Sequence, residues 1–184
     1  SYDSDKQTGI WSNFFENEKL QGVSIYKDDK KNGNAVFYYD SGEKDSEGLF
    51  QDDSQVNEWK SYYKSGKVKK IENYNLTGSL NGLTKEFFES DKVSLNSVYN
   101  NGKKSGLWTK YNENGGIIYN GKYEENVKDG EWIFNENNII QEKLIFNKGK
   151  TNGLCMFYHD NGKLKSKKFF NDNLQNGEEL NSSP

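Results

Sequence analysis

The sequence predicts an all-β protein, an elongated antiparallel β-solenoid of about seven stacked β-hairpin repeats that form a single-layer coiled sheet. Three observations lead to this prediction. A pattern of about 24 residues recurs along the 184-residue chain, aromatic residues make up 15% of it, and Gly, Asn and Asp recur between the aromatic positions. Sequence periods of about 20 to 50 residues are typical of solenoids, whose stacked units bury a shared core.

The composition favours a folded chain with an aromatic core. Hydrophobic residues account for 32% of the sequence and the mean hydropathy is -1.09, which is low for a globular domain. Disordered chains combine such values with high net charge and few aromatic residues. Here the net charge is only -3, so we expect a fold built around aromatic rings.

Every repeat starts at a leading residue that is Gly, or in one case Asn. The leading residues are Gly9, Gly33, Asn57, Gly82, Gly106, Gly130 and Gly153. The predicted repeats are therefore residues 9–32, 33–56, 57–81, 82–105, 106–129, 130–152 and 153–176. Residues 1–8 form a polar N-terminal lead, and residues 177–184 form a C-terminal cap or tail.

Four columns of the repeat are mainly apolar. The column two residues after the leading position holds every Trp of the chain and reads Trp11, Ala35, Trp59, Thr84, Trp108, Trp132 and Cys155. The first aromatic column reads Phe14, Tyr38, Tyr62, Phe87, Tyr111, Phe134 and Tyr158, and the second reads Tyr26, Phe50, Tyr74, Tyr99, Tyr123, Phe146 and Phe170. A fourth, aliphatic column is interrupted by Lys44. We interpret these columns as the core, with large residues packed against small ones between repeats.

Each repeat is predicted to consist of two strands. From Ile117 to Tyr123 apolar and polar residues alternate with the period of two that is typical of a half-buried strand. The only Pro is Pro184, so no strand is interrupted. In the first strand Trp108 and Tyr111 are three residues apart, so a bulge or strong coiling of the strand is needed to bring both side chains to one face.

The second turn of each repeat carries a residue that adopts positive φ at little cost. These turn residues are Asp29, Asp53, Gly78, Gly102, Asn126, Gly149 and Asn173. We therefore expect Gly149→Val to destabilise the protein and Asn126→Gly to be neutral or stabilising.

The pattern G-x-W-x-x-Y-x-x-N-G, followed by an aromatic residue and x-x-G-x-x-x-G, resembles the MORN repeat over residues 9–176. It is most similar to the bacterial MORN variant of the YwqK-like antitoxin type. The residues that carry the signature are Gly9, Trp11, Phe14, Trp59, Tyr62, Gly106, Trp108, Tyr111, Tyr123, Gly130, Trp132 and Gly153. The resemblance implies stacked antiparallel hairpins that serve as a protein scaffold, a substrate-binding arm, a lipid binder or an antitoxin.

No catalytic residue, cofactor site or metal site is predicted. His159, the only His, lies beside Tyr158 near a turn, which favours a solvent-facing residue over a catalytic base, and no G-x-S-x-G motif accompanies it. Cys155 lies in the Trp column, which favours a small buried residue over a nucleophile. The acidic turns lack the spacing of calcium-binding loops. We therefore expect a protein that is not an enzyme.

The densest basic patch is Lys163, Lys165 and Lys167, which would share one strand face. A solvated face that protects a sheet edge is favoured over a lipid or nucleic-acid site. The absence of Arg and the pI of about 5.4 oppose binding to polyanions. The aromatic columns could also form a sugar- or choline-binding platform, although core packing is favoured.

The leading hypothesis is a non-enzymatic scaffold that binds another protein, with an antitoxin-like role. The alternative is a module that binds a cell-surface or membrane ligand, either lipid or glycan. Neither nucleic acid nor a membrane is an expected partner, and open strand edges near Gly9 and Gly177 would allow end-to-end self-association. We expect a bacterial protein that is either cytoplasmic or exported after loss of a leader.

Overall fold

The computed structural model describes residues 2–3, 6–176 and 180–181, and the side chains of residues 6–176. Regular secondary structure in these ranges is all β-strand, and the strands pair antiparallel, which confirms the predicted all-β class. The strands are β1 (Tyr2–Asp3), β2 (Lys6–Gln7), β3 (Gly9–Phe14), β4 (Leu20–Lys27), β5 (Lys30–Tyr38), β6 (Lys44–Gln51), β7 (Ser54–Tyr62), β8 (Val68–Tyr74), β9 (Gly82–Phe87), β10 (Val93–Asn100), β11 (Lys103–Tyr111), β12 (Ile117–Glu124), β13 (Val127–Glu136), β14 (Ile139–Asn147), β15 (Lys150–Thr151), β16 (Gly153–Tyr158), β17 (Leu164–Asn171), β18 (Leu174–Gln175) and β19 (Leu180–Asn181). Among the described residues, no helix has the length and apolar character needed to cross a membrane.

The chain consists of two compact units, Ser1–Lys92 and Val93–Pro184. The first unit contains the complete hairpins β3–β4, β5–β6 and β7–β8, and the second contains β11–β12, β13–β14 and β16–β17. The boundary between the units separates the two strands that the sequence assigns to the repeat 82–105.

In the first unit, β3 to β9 each pair with the next strand along the chain. Ahead of them β1 pairs with β2, so strands also form within the segment that the sequence assigns to a polar lead.

In the second unit, β10 to β14 pair in chain order. The next two partner strands are each interrupted. β14 pairs with both β15 and β16, and β17 pairs with both β18 and β19. Gly177, which the sequence places at an open edge, lies outside the described residues.

A one-residue register shift lies near the turn of each complete hairpin. Lys110 pairs with Tyr119 while Tyr111 pairs with Ile117, which leaves Ile118 as the extra residue. The other hairpins shift at the corresponding place. An extra residue in one strand of an antiparallel pair is a β-bulge. The extra residue lies on β12, so the bulge expected between Trp108 and Tyr111 is not found on β11, which pairs there without an extra residue.

The turns after β4, β6, β10, β12, β13, β14 and β17 are two-residue turns in which both residues have positive φ. Asp28 and Asp29 have φ of 52° and 68°, and Glu125 and Asn126 have 48° and 74°. Such a pair defines a type I′ turn, whose twist matches that of the flanking strands. All residues of the predicted second-turn column have positive φ, including Gly149 at 85°, which confirms the backbone conformation expected there.

The leading residue of each repeat also has positive φ, from 61° at Asn57 to 134° at Gly33. A register shift between Glu47 and Leu49 lies directly opposite Asn57. Asn reaches the left-handed region more readily than most side chains, which explains why it can replace the leading Gly.

Alternation along the strands gives the sheet an inner face, which carries the predicted Trp column, and an outer face. On the inner face the Trp column and its cross-strand neighbours form a line that we call the core row. Its members are Trp11, Ser24, Ala35, Gly48, Trp59, Glu72 and Thr84 in the first unit, and Ser97, Trp108, Gly121, Trp132, Leu144, Cys155 and Lys168 in the second.

Candidate functional site

The inner face is held together by indole rings that lie over glycine. A Cβ built on Gly48 would overlap the indole of Trp59, and a Cβ on Gly121 would overlap that of Trp132. Trp132 is 1% exposed. Each ring therefore occupies the space that a side chain on the neighbouring strand would need, which is why Gly is required there.

The buried indole N–H groups are all satisfied by the preceding strand. Trp59 Nε1 donates to Leu49 O at 3.0 Å, Trp108 Nε1 to Val98 O at 3.1 Å, and Trp132 Nε1 to Lys122 O at 3.0 Å. A buried donor without a partner would cost about 1–3 kcal/mol. These bonds fix each ring against the neighbouring strand, so the Trp residues position the sheet rather than a ligand.

Lys104 and Lys128 each lie two residues before a leading residue, and their side chains cover aromatic rings of the inner face. Lys104 Nζ lies 4.8 Å from the ring centroid of Trp108 and 5.0 Å from that of Tyr123, and Lys128 lies 4.5 Å from Trp132. An ammonium within about 6 Å of a ring face is attracted by its quadrupole. Burial lowers the pKa of Lys128, while Glu142 opposes that shift. The inner aromatic face therefore carries its own cations.

The small members of the Trp column are buried as well. Ala35 is 2% exposed, and Thr84 and Cys155 are also buried. Cys155 pairs across the strands with Lys168, whose Nζ lies 5.6 Å from the ring centroid of Phe157. Cys155 is thus a packed thiol, which fits the interpretation as a small buried residue.

Lys44, which interrupts the aliphatic column, belongs to a charged cluster in the first unit. Its Nζ bonds Glu47 Oε2 at 2.8 Å and lies over the ring of Tyr62, whose hydroxyl donates to Glu47 Oε1. The bond from Lys44 and then that from Tyr62 lower the pKa of Glu47. Burial, followed by Glu47, raises the pKa of Tyr62 to about 12. Lys44 replaces an apolar contact with an ion pair and a ring contact.

The second turns clamp neighbouring hairpins together. Lys104 N donates to Asn126 Oδ1 at 2.8 Å, and Asn126 N donates back to Lys104 O at 3.0 Å. Asp53 forms the same two bonds with Lys31. The clamp fixes the backbone of the very lysines that cover the aromatic rings.

The outer face carries an exposed apolar pair in the second unit. Leu154 and Phe169 are direct cross-strand partners on β16 and β17 and are 43% and 47% exposed. Leu107 on β11 is exposed at the same position of its repeat as Leu154. Exposed apolar residues that adjoin one another are a feature of interaction surfaces, whereas isolated ones are ordinary.

The predicted basic patch is only partly brought together. Lys163 lies in the turn before β17, Lys165 is exposed as the extra residue of the bulge, and Lys167 is partly buried opposite Met156. His159 lies in the same turn, but its side chain is partly buried rather than solvent-facing. Its Nε2 is enclosed and has no hydrogen-bond partner among the described residues.

The remaining signature residues have structural positions. Gly9, Gly106, Gly130 and Gly153 hold positive φ. Trp11, Tyr62, Tyr111 and Tyr123 are partly buried, and Phe14 is 60% exposed. Among the described residues, no group of three or more His, Cys, Asp and Glu side chains could hold a metal ion.

Sequence reasoning missed a second aromatic residue in the first unit. Each first aromatic is followed directly by another there: Phe14–Phe15, Tyr38–Tyr39, Tyr62–Tyr63 and Phe87–Phe88. In the second unit the following residue is polar: Asn112, Asn135 and His159. Tyr39 and Tyr63 donate their hydroxyls to Tyr62 O and Phe87 O, one repeat further on. The doublet itself was the signal that could have revealed them.

The chain matches the MORN repeat variant family at residues 7–28, 55–76 and 151–172. The matches start two or four periods of about 24 residues apart and begin two residues before a predicted leading position. The resemblance to MORN repeats is thus supported at three places, which together cover about a third of the chain. No curated protein matches the chain. MORN repeats are generally protein-associated or membrane-associated repeat modules.

Proposed function

We propose that the chain is a non-enzymatic repeat scaffold that binds another protein through its outer face. The observation that supports this most directly is the exposed pair of Leu154 and Phe169. Apolar and aromatic anchors at the centre of an interface supply most of its binding energy. The pair lies on regular strands, so its geometry is fixed before a partner arrives, which lowers the entropic cost of binding.

The test is capture of a partner by the immobilised protein from native lysate, with the retained proteins quantified by mass spectrometry. We expect one protein to be retained saturably and the double variant Leu154→Glu/Phe169→Glu to lose it by about thirtyfold, the effect of removing roughly 2 kcal/mol. Both side chains are exposed, so the variant should melt at the same temperature as the parent chain.

The matched control is Lys165→Glu, which reverses a charge on the same strand. Exposed charges at the rim of an interface contribute little, so we expect a change of less than about threefold. Retention of no protein above the bead background, or retention that is equal in the double variant and the parent chain, would refute the proposal.

The proposed role is that of a bacterial, YwqK-like antitoxin. It is supported by the sequence resemblance and by a surface suited to a stoichiometric partner. Co-expression with a toxin-like protein encoded beside it should restore growth, and Leu154→Glu/Phe169→Glu should abolish the rescue. Growth that stays arrested with the parent chain would leave the scaffold proposal standing and remove the antitoxin role.

The architecture proposed with this function is a β-solenoid of seven hairpin repeats. Positive φ at every leading residue and every second-turn residue supports the repeat assignment. Repeats in such arrays contact mainly their neighbours. Removal of residues 153–184 should therefore leave the thermal unfolding of the remaining chain cooperative. Loss of all β-signal in circular dichroism would contradict the repeat assignment.

A further inference from the structure

An open cleft of about 470 Å³ lies in the first unit. Its lining combines the aromatic residues Phe15, Phe37 and Tyr38 with Gly22 and polar side chains. The polar lining residues are Asn13, Gln21, Lys31 and Asp45. Binding sites for small molecules have volumes of about 300–1,000 Å³ and pair aromatic walls with a few polar groups.

Three lining residues of the cleft occupy matched positions on neighbouring strands. Asn13, Gly22 and Phe37 face one another across β3, β4 and β5. At the place of Gly22, the repeat 106–129 has Tyr119, whose ring centroid lies 6.3 Å from that of Phe134. A Cβ built on Gly22 would lie 2.7 Å from Phe37 Cδ1, so the Phe37 ring covers Gly22 and the cleft opens beside that ring.

The polar groups of the cleft are available to a ligand. The side-chain amides of Asn13 and Gln21 make no hydrogen bond within the described part of the chain. The Asp45 carboxylate accepts from Ser46 Oγ at 3.3 Å and retains further acceptor capacity. Donors and acceptors therefore line the same cleft as the ring faces.

We propose that this cleft binds one sugar unit of a neutral oligosaccharide. A pyranose has an apolar C–H face that can pack on an aromatic ring and a rim of hydroxyl groups. Each hydroxyl both donates and accepts, as do the amides of Asn13 and Gln21, and Asp45 adds a strong acceptor. Protein binding was assigned to the outer face of the second unit, so this inference is independent of it.

The cleft is lined by one cation, Lys31, and one carboxylate, Asp45, so it offers no net charge to an ionic ligand. Lys31 Nζ lies 5.4 Å from the ring centroid of Phe37, so the cation-binding place on that ring is already filled. A quaternary ammonium such as choline would meet like charge there. An anion would meet Asp45, and the chain has no Arg to hold a phosphate bidentately.

The test is isothermal titration calorimetry with chitohexaose, cellohexaose, laminarihexaose and maltohexaose, each at up to about 5 mM. We expect at least one of them to bind with a Kd between about 10 μM and 1 mM. Phe15→Ala should weaken that binding by about tenfold or more because it removes an aromatic wall. Gln21→Ala should also weaken the binding, because it removes a hydrogen-bond donor and acceptor from the cleft. Gln21 is exposed, so its loss leaves the packing intact.

The matched control is Phe14→Ala, which removes the neighbouring ring of the same doublet. Phe14 is 60% exposed and does not line the cleft, so binding should stay within about twofold. Thermal melts establish that all three variants are folded. The proposal is overturned if no sugar binds, if Phe15→Ala and Phe14→Ala act alike, or if choline or inositol hexakisphosphate binds in place of the sugars.

Discussion

The two units of the chain fill the same inner face in different ways. In the core row of the first unit, Ser24, Ala35 and Gly48 follow one another before Trp59, whereas in the second unit Trp108 and Trp132 flank Gly121 on both sides. The second unit packs its rings within the row. The first leaves the row thin. Both units carry rings of the second aromatic column beside the row, Phe50 on Trp59 and Tyr123 on Trp132, each at a centroid distance of 4.9 Å.

In the first unit the rings beside Trp59 are those of Phe37 and Phe50. They pack on Trp59 at centroid distances of 6.4 and 4.9 Å, and Lys31 covers both. The comparison shows that the repeat fixes the strands and turns but not the volume of individual core positions. A position emptied by Gly is filled by a ring of the neighbouring strand, Phe37 at Gly22, Trp59 at Gly48 and Trp132 at Gly121.

Gly121→Ala should have the largest effect of the substitutions considered. The new Cβ would overlap the indole of Trp132 and force it out of the row, which should cost about 3 kcal/mol, since overpacking of well-packed cores costs roughly that much. Urea denaturation would measure the change.

The control for that prediction is Gly130→Ala. No atom lies within 4 Å of a Cβ built there, so only the φ of 70° opposes the change, at about 1–2 kcal/mol. Equal destabilisation by the two substitutions would mean that the close approach of Trp132 to Gly121 does not limit packing in the second unit.

Gly149→Val should destabilise the second unit by about 1–3 kcal/mol, because a β-branched residue is strained at positive φ. The new Cβ would also lie 3.3 Å from Val127 Cβ. Gly149→Asn is the control, since Asp29 and Asp53 occupy the equivalent turns of the first unit at φ of 68° and 67°. Thermal melts should show a clear loss for Val and little change for Asn, and a silent Gly149→Val would disprove the strain at this turn.

Asn126→Gly should destabilise the protein by about 1 kcal/mol, because it removes the acceptor of the Lys104 N–H. This replaces the expectation from sequence, which considered only the φ of the turn. Asp53→Gly should cost more, since a bond to a carboxylate is stronger than one to an amide. The measurement is the urea midpoint of each variant, and an unchanged or higher midpoint for Asn126→Gly would show that relief of backbone strain outweighs the clamp.

The smallest effect is expected at high pH, where Tyr62 and Tyr123 differ. The pKa of Tyr62 is raised to about 12, so the folded protein holds this proton more tightly than the unfolded chain. That contribution to stability is complete below the usual tyrosine pKa of about 10 and is lost as the pH rises towards 12. Tyr62→Phe should therefore reduce the fall in stability between these values.

Burial alone raises the pKa of Tyr123, with no carboxylate partner. Tyr123→Phe is thus the comparison for Tyr62→Phe in the second unit. Difference absorbance at 295 nm would follow each phenolate. A Tyr62 that titrates at the ordinary tyrosine value would show that Glu47 and burial do not act on it.

The regular features of the fold could be predicted because residue type alone decides them. Gly, Asn and Asp mark positive φ at the turns. The bulge lies at Ile118 on β12, not between Trp108 and Tyr111 as their spacing suggested. The lysine contacts could not be predicted in this way. Lys128 looks like an ordinary surface residue in sequence, and only the folded sheet brings its ammonium within 5.1 Å of the ring centroids of Trp132, Phe134 and Phe146.

The candidate cleft was even harder to predict from the sequence. Its lining residues come from β3 and the turn after it, from β4 and β5, and from the bulge of β6, so the cleft spans two repeats. Comparison of the repeats with one another reveals the residues that recur in every repeat. A binding site of this kind depends on the repeat that differs.

The turns also determine how such a chain can gain or lose single residues. Each hairpin turn contains either two or three residues. The repeats that are longer or shorter than 24 residues have a three-residue turn in place of a two-residue turn, or the reverse. Asn137–Asn138 is a two-residue turn at a place where other hairpins use three, and Leu76–Gly78 is a three-residue turn where others use two. The exchange adds or removes one residue without moving any strand out of register. Insertions and deletions of one residue are therefore tolerated at turns, whereas within a strand they would turn every following side chain to the wrong face.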